Sequence, residues 1–174
     1  VKRAESNIYY FEEGNIKKSS IYKLDAPFHV HIDTLHTQVA KVEVLVEPKD
    51  VHSFYLKVEN KNGSLYNFSK DSILSGTELN LPKVGYYNQW IQGKNFKLKL
   101  TRSNIPFSES KFSFKLVTIK EAVGRATQGI NVGNSSKIAS ILSFSKNSES
   151  LNESVDLINN SMQVFIENEL AEKN

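Results

Sequence analysis

The chain has 174 residues, a net charge of +3, 39% hydrophobic and 10% aromatic residues, and no cysteine. That composition excludes disulfide staples, thiolate metal sites and cysteine nucleophiles, and it is too rich in core-forming residues for disorder throughout. No run approaches the ~20 apolar residues that span a bilayer, and no apolar stretch near the start reads as a signal peptide. The chain starts at Val1 and not Met, and is expected to be a processed or trimmed product; the location expected is extracytoplasmic or the virion, with any signal peptide already removed.

Residues 1–120 carry one short period-2 pattern after another, each closed by a turn signal. Residues 8–11 are apolar and aromatic and end towards Gly14; residues 21–24 lead to Pro27. Residues 28–33 alternate, with Phe28, Val30 and Ile32 on one face and His29, His31 and Asp33 on the other. Residues 39–46 place Val42, Val44 and Val46 in phase, and residues 54–58 do the same with Phe54, Leu56 and Val58. Asn62-Gly63 is expected to turn a hairpin, since both residues tolerate positive φ. Residues 78–81 form a short strand stopped by Pro82, and residues 96–101 and 112–117 alternate apolar with polar or basic residues. About eight strands with no room for crossover helices predict an antiparallel β-sandwich, or a barrel, over residues 1–120.

Near residue 120 the pattern changes. Residues 1–120 hold 18 Lys/Arg against 12 Asp/Glu, or +6, whereas residues 121–174 hold 4 against 7, or −3. Ile119, Val123 and Ala126 lie at helical spacing, residues 129–136 read as a loop, and Ile138, Ile141 and Leu142 suggest a helical turn. Ser150 and Glu153 are spaced as a capping box. A helix from there to about residue 172 would be roughly 33 Å long. Its stripe of Leu151, Val155, Ile158, Met162 and Phe165 requires a surface to lie on. Residues 121–174 are therefore expected to be a helical extension packed on the sheets or on a partner.

Four clusters could carry function. His29, His31 and Asp33 share one strand face, where two imidazoles and a carboxylate suit a metal ion. Tyr86, Tyr87, Gln89 and Trp90 combine rings with amides in what reads as a long connection between Gly85 and Gly93. Rings and amides together suit a sugar or a protein partner, or the rings plug one end of the fold. Lys94, Lys97, Lys99, Arg102, Lys111 and Lys115 form a basic concentration. If residues 96–101 pair with 112–117, Lys97, Lys99 and Lys115 share an outer face, with every phenylalanine turned inward. Nucleic-acid platforms put rings among the cations, so that arrangement argues against nucleic acid. The fourth cluster is the helix stripe.

Gly124 and Gly129 have the spacing of a phosphate loop, but Ile130-Asn131 replaces the required Lys-Ser/Thr. Neither a Gly-x-Ser-x-Gly elbow nor a His-Glu-x-x-His helix occurs. No cofactor is expected. The reading is a non-catalytic binding or assembly module of a bacterial surface, secretion-system or phage structure. It would work through protein contacts or self-association by the C-terminal helix. The alternatives are a carbohydrate-binding module and a metal-binding protein or metalloenzyme.

Overall fold

A computed structural model describes residues 7–134, 142–146 and 151–172. The chain divides into two compact units, Val1–Ala122 and Val123–Asn174. The first is built from β1 (Ile8–Glu13), β2 (Lys18–Ile21), β3 (Phe28–Ile32), β4 (Gln38–Ala40), β5 (Glu43–Pro48) and β6 (Ser53–Lys57). There follow β7 (Asn62–Asn67), β8 (Ser72–Glu78), β9 (Val84–Tyr86), β10 (Trp90–Gly93), β11 (Phe96–Arg102) and β12 (Lys111–Leu116). They form a six-stranded sheet in the order β2-β1-β12-β5-β6-β9 and two three-stranded sheets, β10-β11-β3 and β4-β7-β8. Every pairing is antiparallel, and the pairs β1-β2, β5-β6, β7-β8 and β10-β11 are joined by the short connections that antiparallel neighbours allow.

The fold is therefore mainly β, but none of these sheets closes on itself, and the barrel alternative falls. Twelve strands replace the expected eight, for local reasons. Residues 39–46 are two strands, because Lys41 adopts φ 70° and breaks the ladder, donating its amide to the Leu116 carbonyl at 2.7 Å. Residues 23–25 make a 3-10 turn instead of extending the strand. Asn62 and Gly63 lie inside β7, opposite Glu78 and Thr77, and are not a hairpin turn. The glycine answers to close packing: a Cβ there would sit 2.6 Å from the Ala40 carbonyl oxygen. The turn falls at residues 68–71, where Asp71 takes φ 47° and the Asn67 side chain accepts from the Lys70 amide at 3.0 Å. The strand expected at 78–81 ends at Glu78, and Leu79 packs into the core from the following segment.

One hydrophobic core takes residues from all three sheets: Tyr10, Val44, Phe54 and Phe114 from the first, Phe28, Val30 and Leu100 from the second, Val39 and Tyr66 from the third. Phe28 sits at its centre, 5.8 Å from the Tyr10 ring and 6.2 Å from Phe114, both edge-on. The Tyr10 hydroxyl accepts from the Val30 amide at 2.9 Å, so a β1 side chain joins the β3 backbone. Burial of these rings and aliphatics is the main term holding the unit together.

Helix α1 (Ile119–Thr127) follows β12. Its start is a capping box missed in the sequence. Thr118 Oγ1 accepts from the Glu121 amide at 3.2 Å, and Glu121 Oε2 accepts from the Thr118 amide at 3.0 Å.

In the second unit, β13 (Ile130–Asn134) pairs antiparallel with β14 (Leu142–Lys146), and helix α2 spans Leu151–Glu172. The loop expected at 129–136 is thus a strand through Asn134, and Leu142 belongs to a strand, not to a helical turn. Ile138, Ile141 and the capping Ser150 lie outside the described residues. No described helix is long and apolar enough to cross a membrane.

Candidate functional site

The outer face of β10-β11-β3 is a product of alternation. Phe96, Leu98 and Leu100 point β11 into the core, as Phe28 and Val30 do for β3, so Lys97, Lys99, Thr101, His29 and His31 must face outward. Register then sets the neighbours. Trp90 stands opposite Lys99, which stands opposite His31; Gln92 stands opposite Lys97; Thr101 stands opposite His29. Trp90 is the chain's single tryptophan, and 48% of its surface remains open. The ammonium groups of Lys97 and Lys99 lie 5.5 and 5.3 Å from its ring centroid, within cation–π range.

Two devices hold this face in place. Gln38, only 1% exposed, reaches over from β4. Its amide donates to the Asp33 carbonyl at 2.8 Å and the Lys97 carbonyl at 3.1 Å, and its oxygen accepts from the Lys97 amide at 3.0 Å. One buried side chain thus completes the backbone hydrogen bonding where β3 ends and β11 begins. On the far side, residues 87–89 carry the chain from β9 in one sheet to β10 in another. Asn88 takes φ 64° and donates its amide to the Leu100 carbonyl at 2.8 Å, while the Tyr87 amide donates to the His52 carbonyl at 2.9 Å.

This crossing disperses the aromatic–amide cluster read from the sequence. Tyr86 is half-exposed, opposite Ser53 in the six-stranded sheet. Tyr87 is buried, its ring 4.8 Å from Phe54 and 5.7 Å from the Arg102 guanidinium. Gln89 is exposed in the turn, and Trp90 alone joins the β10-β11-β3 face. Among the described residues, the Tyr87 hydroxyl is the one buried side-chain polar atom with no hydrogen-bond partner. Burial pushes its pKa up, against the lowering pull of nearby Arg102.

His29, His31 and Asp33 stay near one another along β3, but their polar atoms are engaged elsewhere. His31 Nε2 lies 3.1 Å from Thr101 Oγ1. The Asp33 carboxylate accepts from Lys97 Nζ at 2.7 Å and from the Leu35 amide at 3.0 Å, and these bonds hold its pKa below the ordinary value. Among the described residues, no group of three His, Asp or Glu side chains is placed to hold a metal ion.

The basic residues also separate. Strands β11 and β12 do not pair, so Lys115 shares no face with Lys97 and Lys99; it lies on the six-stranded sheet, 5.7 Å from the Phe11 ring centroid. The ring among the lysines, absent from the alternation of β11 itself, is supplied by Trp90 across the ladder. In α2, Val155 and Met162 of the expected stripe are about half exposed, as is Val164, and Ile158 is partly buried. The side chains of Leu151 and Phe165 lie outside the described set. Comparison with protein-family models, curated proteins and solved structures finds no match to this chain.

Proposed function

We propose that the chain is a non-catalytic recognition module, a β-sandwich whose β10-β11-β3 face binds carbohydrate. The observation that supports this most is the half-open Trp90 ring, flanked by Gln92, Lys97 and Lys99 on the outer face of the sheet. An indole covers the apolar C–H face of a pyranose, while neighbouring amide, ammonium and hydroxyl groups bond its hydroxyls. The Gln38 bonds keep the Lys97 backbone fixed, so little ordering entropy is lost on binding. Titration of pyranose polymers, followed by the emission of the single tryptophan, tests the reading. Saturable binding that Trp90→Ala abolishes is expected. Binding that survives that substitution would move recognition to another surface.

A second reading, assembly through α2, is supported by the half-exposed Val155, Met162 and Val164. Apolar side chains on a helix gain by being covered by a partner or a second copy. Removing residues 146–174 should then lower the oligomeric state seen in sedimentation or abolish partner capture. An unchanged monomer that still captures its partner would end this reading. Both suit a component of a bacterial surface, secretion-system or phage structure.

A further inference from the structure

We infer that the ligand of the Trp90 face is an acidic polysaccharide, a pyranose chain bearing sulfate or carboxylate groups. This rests on the carbohydrate reading and narrows it. The argument comes from how the two lysines are answered. Lys97 is satisfied internally by Asp33 at 2.7 Å. Lys99 has no carboxylate partner among the described residues; its charge faces the Trp90 ring and the outer surface between β10 and β3. A neutral sugar laid on Trp90 would strip water from the Lys99 ammonium and return no countercharge, which opposes binding. An anionic substituent on the same sugar would meet that ammonium directly, with Gln92 and Thr101 beside it as uncharged hydrogen-bonding groups. Trp90 and Lys99 are opposite one another across the ladder, so one sugar residue meets both.

The face fits a nucleic acid less well. Single-strand platforms stack successive bases on several rings. Here Trp90 is the one Phe, Tyr or Trp ring among the described residues of the face, because Tyr86 is placed on the other sheet and Tyr87 is buried.

The test uses the full chain and three probes: heparin, neutral dextran, and single-stranded oligo-dT matched to heparin in charge. Binding is read from Trp90 emission and, independently, by calorimetry. Heparin is expected to bind and shift the emission, dextran to bind much more weakly, and affinity to fall as salt is raised. Lys99→Gln should weaken heparin about tenfold, the loss of one charge-assisted hydrogen bond. Lys57→Gln on the six-stranded sheet should leave it unchanged, and equal melting temperatures would establish that both variants fold. Dextran binding as tightly as heparin, with Lys99→Gln silent, would overturn the acidic ligand while leaving the carbohydrate reading intact. Oligo-dT binding more tightly than heparin with a Trp90 response would overturn both in favour of nucleic acid. Heparin binding that ignores Trp90→Ala and Lys99→Gln would remove the face itself.

Discussion

The outer faces of the six-stranded sheet and of β10-β11-β3 carry the same residue types and use them differently. On the six-stranded sheet two lysines are answered by carboxylates across strands. Lys18 bonds Glu43, which also accepts from Ser113 at 2.5 Å, and Lys57 bonds Glu47 at 2.5 Å. Its half-buried ring Phe11 lies 5.0 and 5.7 Å from the ammonium groups of Lys18 and Lys115, while Tyr55 and Tyr86 on the same sheet stay open to solvent. On the smaller sheet Asp33 answers Lys97, and Lys99 is left facing a half-open indole. Internal pairing makes a surface self-sufficient. Lys99 meets a ring, as Lys115 does on the larger sheet, but the ring it meets is half open where Phe11 is half-buried, so the exposure of the indole beside the cation tells more than the count of charges.

The sharpest way to break this contrast is to loosen the mount of the smaller face. Gln38→Leu leaves the Lys97 amide without its buried acceptor, while the Asp33 carbonyl keeps the His36 amide, and should cost about 2–3 kcal/mol in urea unfolding, with Trp90-dependent binding weakened. The same substitution with unchanged stability would mean the face is held by its strands alone. Next in size is Gly85→Ala, where the two sheets meet: a Cβ there would lie 2.5 Å from the Phe54 ring and 2.7 Å from Ile91. A cost of about 1–3 kcal/mol is expected from overpacking.

Acid should act on both faces. Hydrogen bonds from Lys97 and the Leu35 amide hold Asp33 below its ordinary 3.8. For Glu43, burial pushes upward, but bonds from Lys18 and Ser113 outweigh it and leave it below 4.5. A depressed carboxylate contributes stability that is complete above its unfolded-state pKa and is lost as pH falls through the folded one. Glu43→Gln should therefore cost no more than about 1 kcal/mol at neutral pH, because the pair is partly solvent-screened, and flatten the loss of stability below pH 4.5. Stability curves in urea across that pH range would check it. The smallest effect has the opposite sign. Tyr87→Phe removes a buried hydroxyl that has no partner, and should leave stability unchanged or raise it by about 1 kcal/mol. A clear loss would show that the hydroxyl is bonded after all.

The sequence by itself determined the β-rich class, the antiparallel order of things before residue 120, and the in–out alternation of Phe28, Val30, Phe96, Leu98, Phe112 and Phe114. It also determined the terminal helix at Leu151–Glu172. These depend on local periodicity, and a period of two or of 3.6 is written in consecutive residues. It placed turns less well, because Gly63 is a glycine for a close approach of β4 and not for its own dihedral angles, and Lys41 bends the chain without any turn-forming residue type. Only the tertiary structure decided which strands are neighbours. Period-2 reading says that Lys97 and Lys99 face outward, but whether Lys115 or Trp90 lies beside them depends on β11 pairing with β10 and β3 and not with β12. That choice is made by long-range hydrogen bonding and by a core assembled from all three sheets, and no short window of sequence contains it.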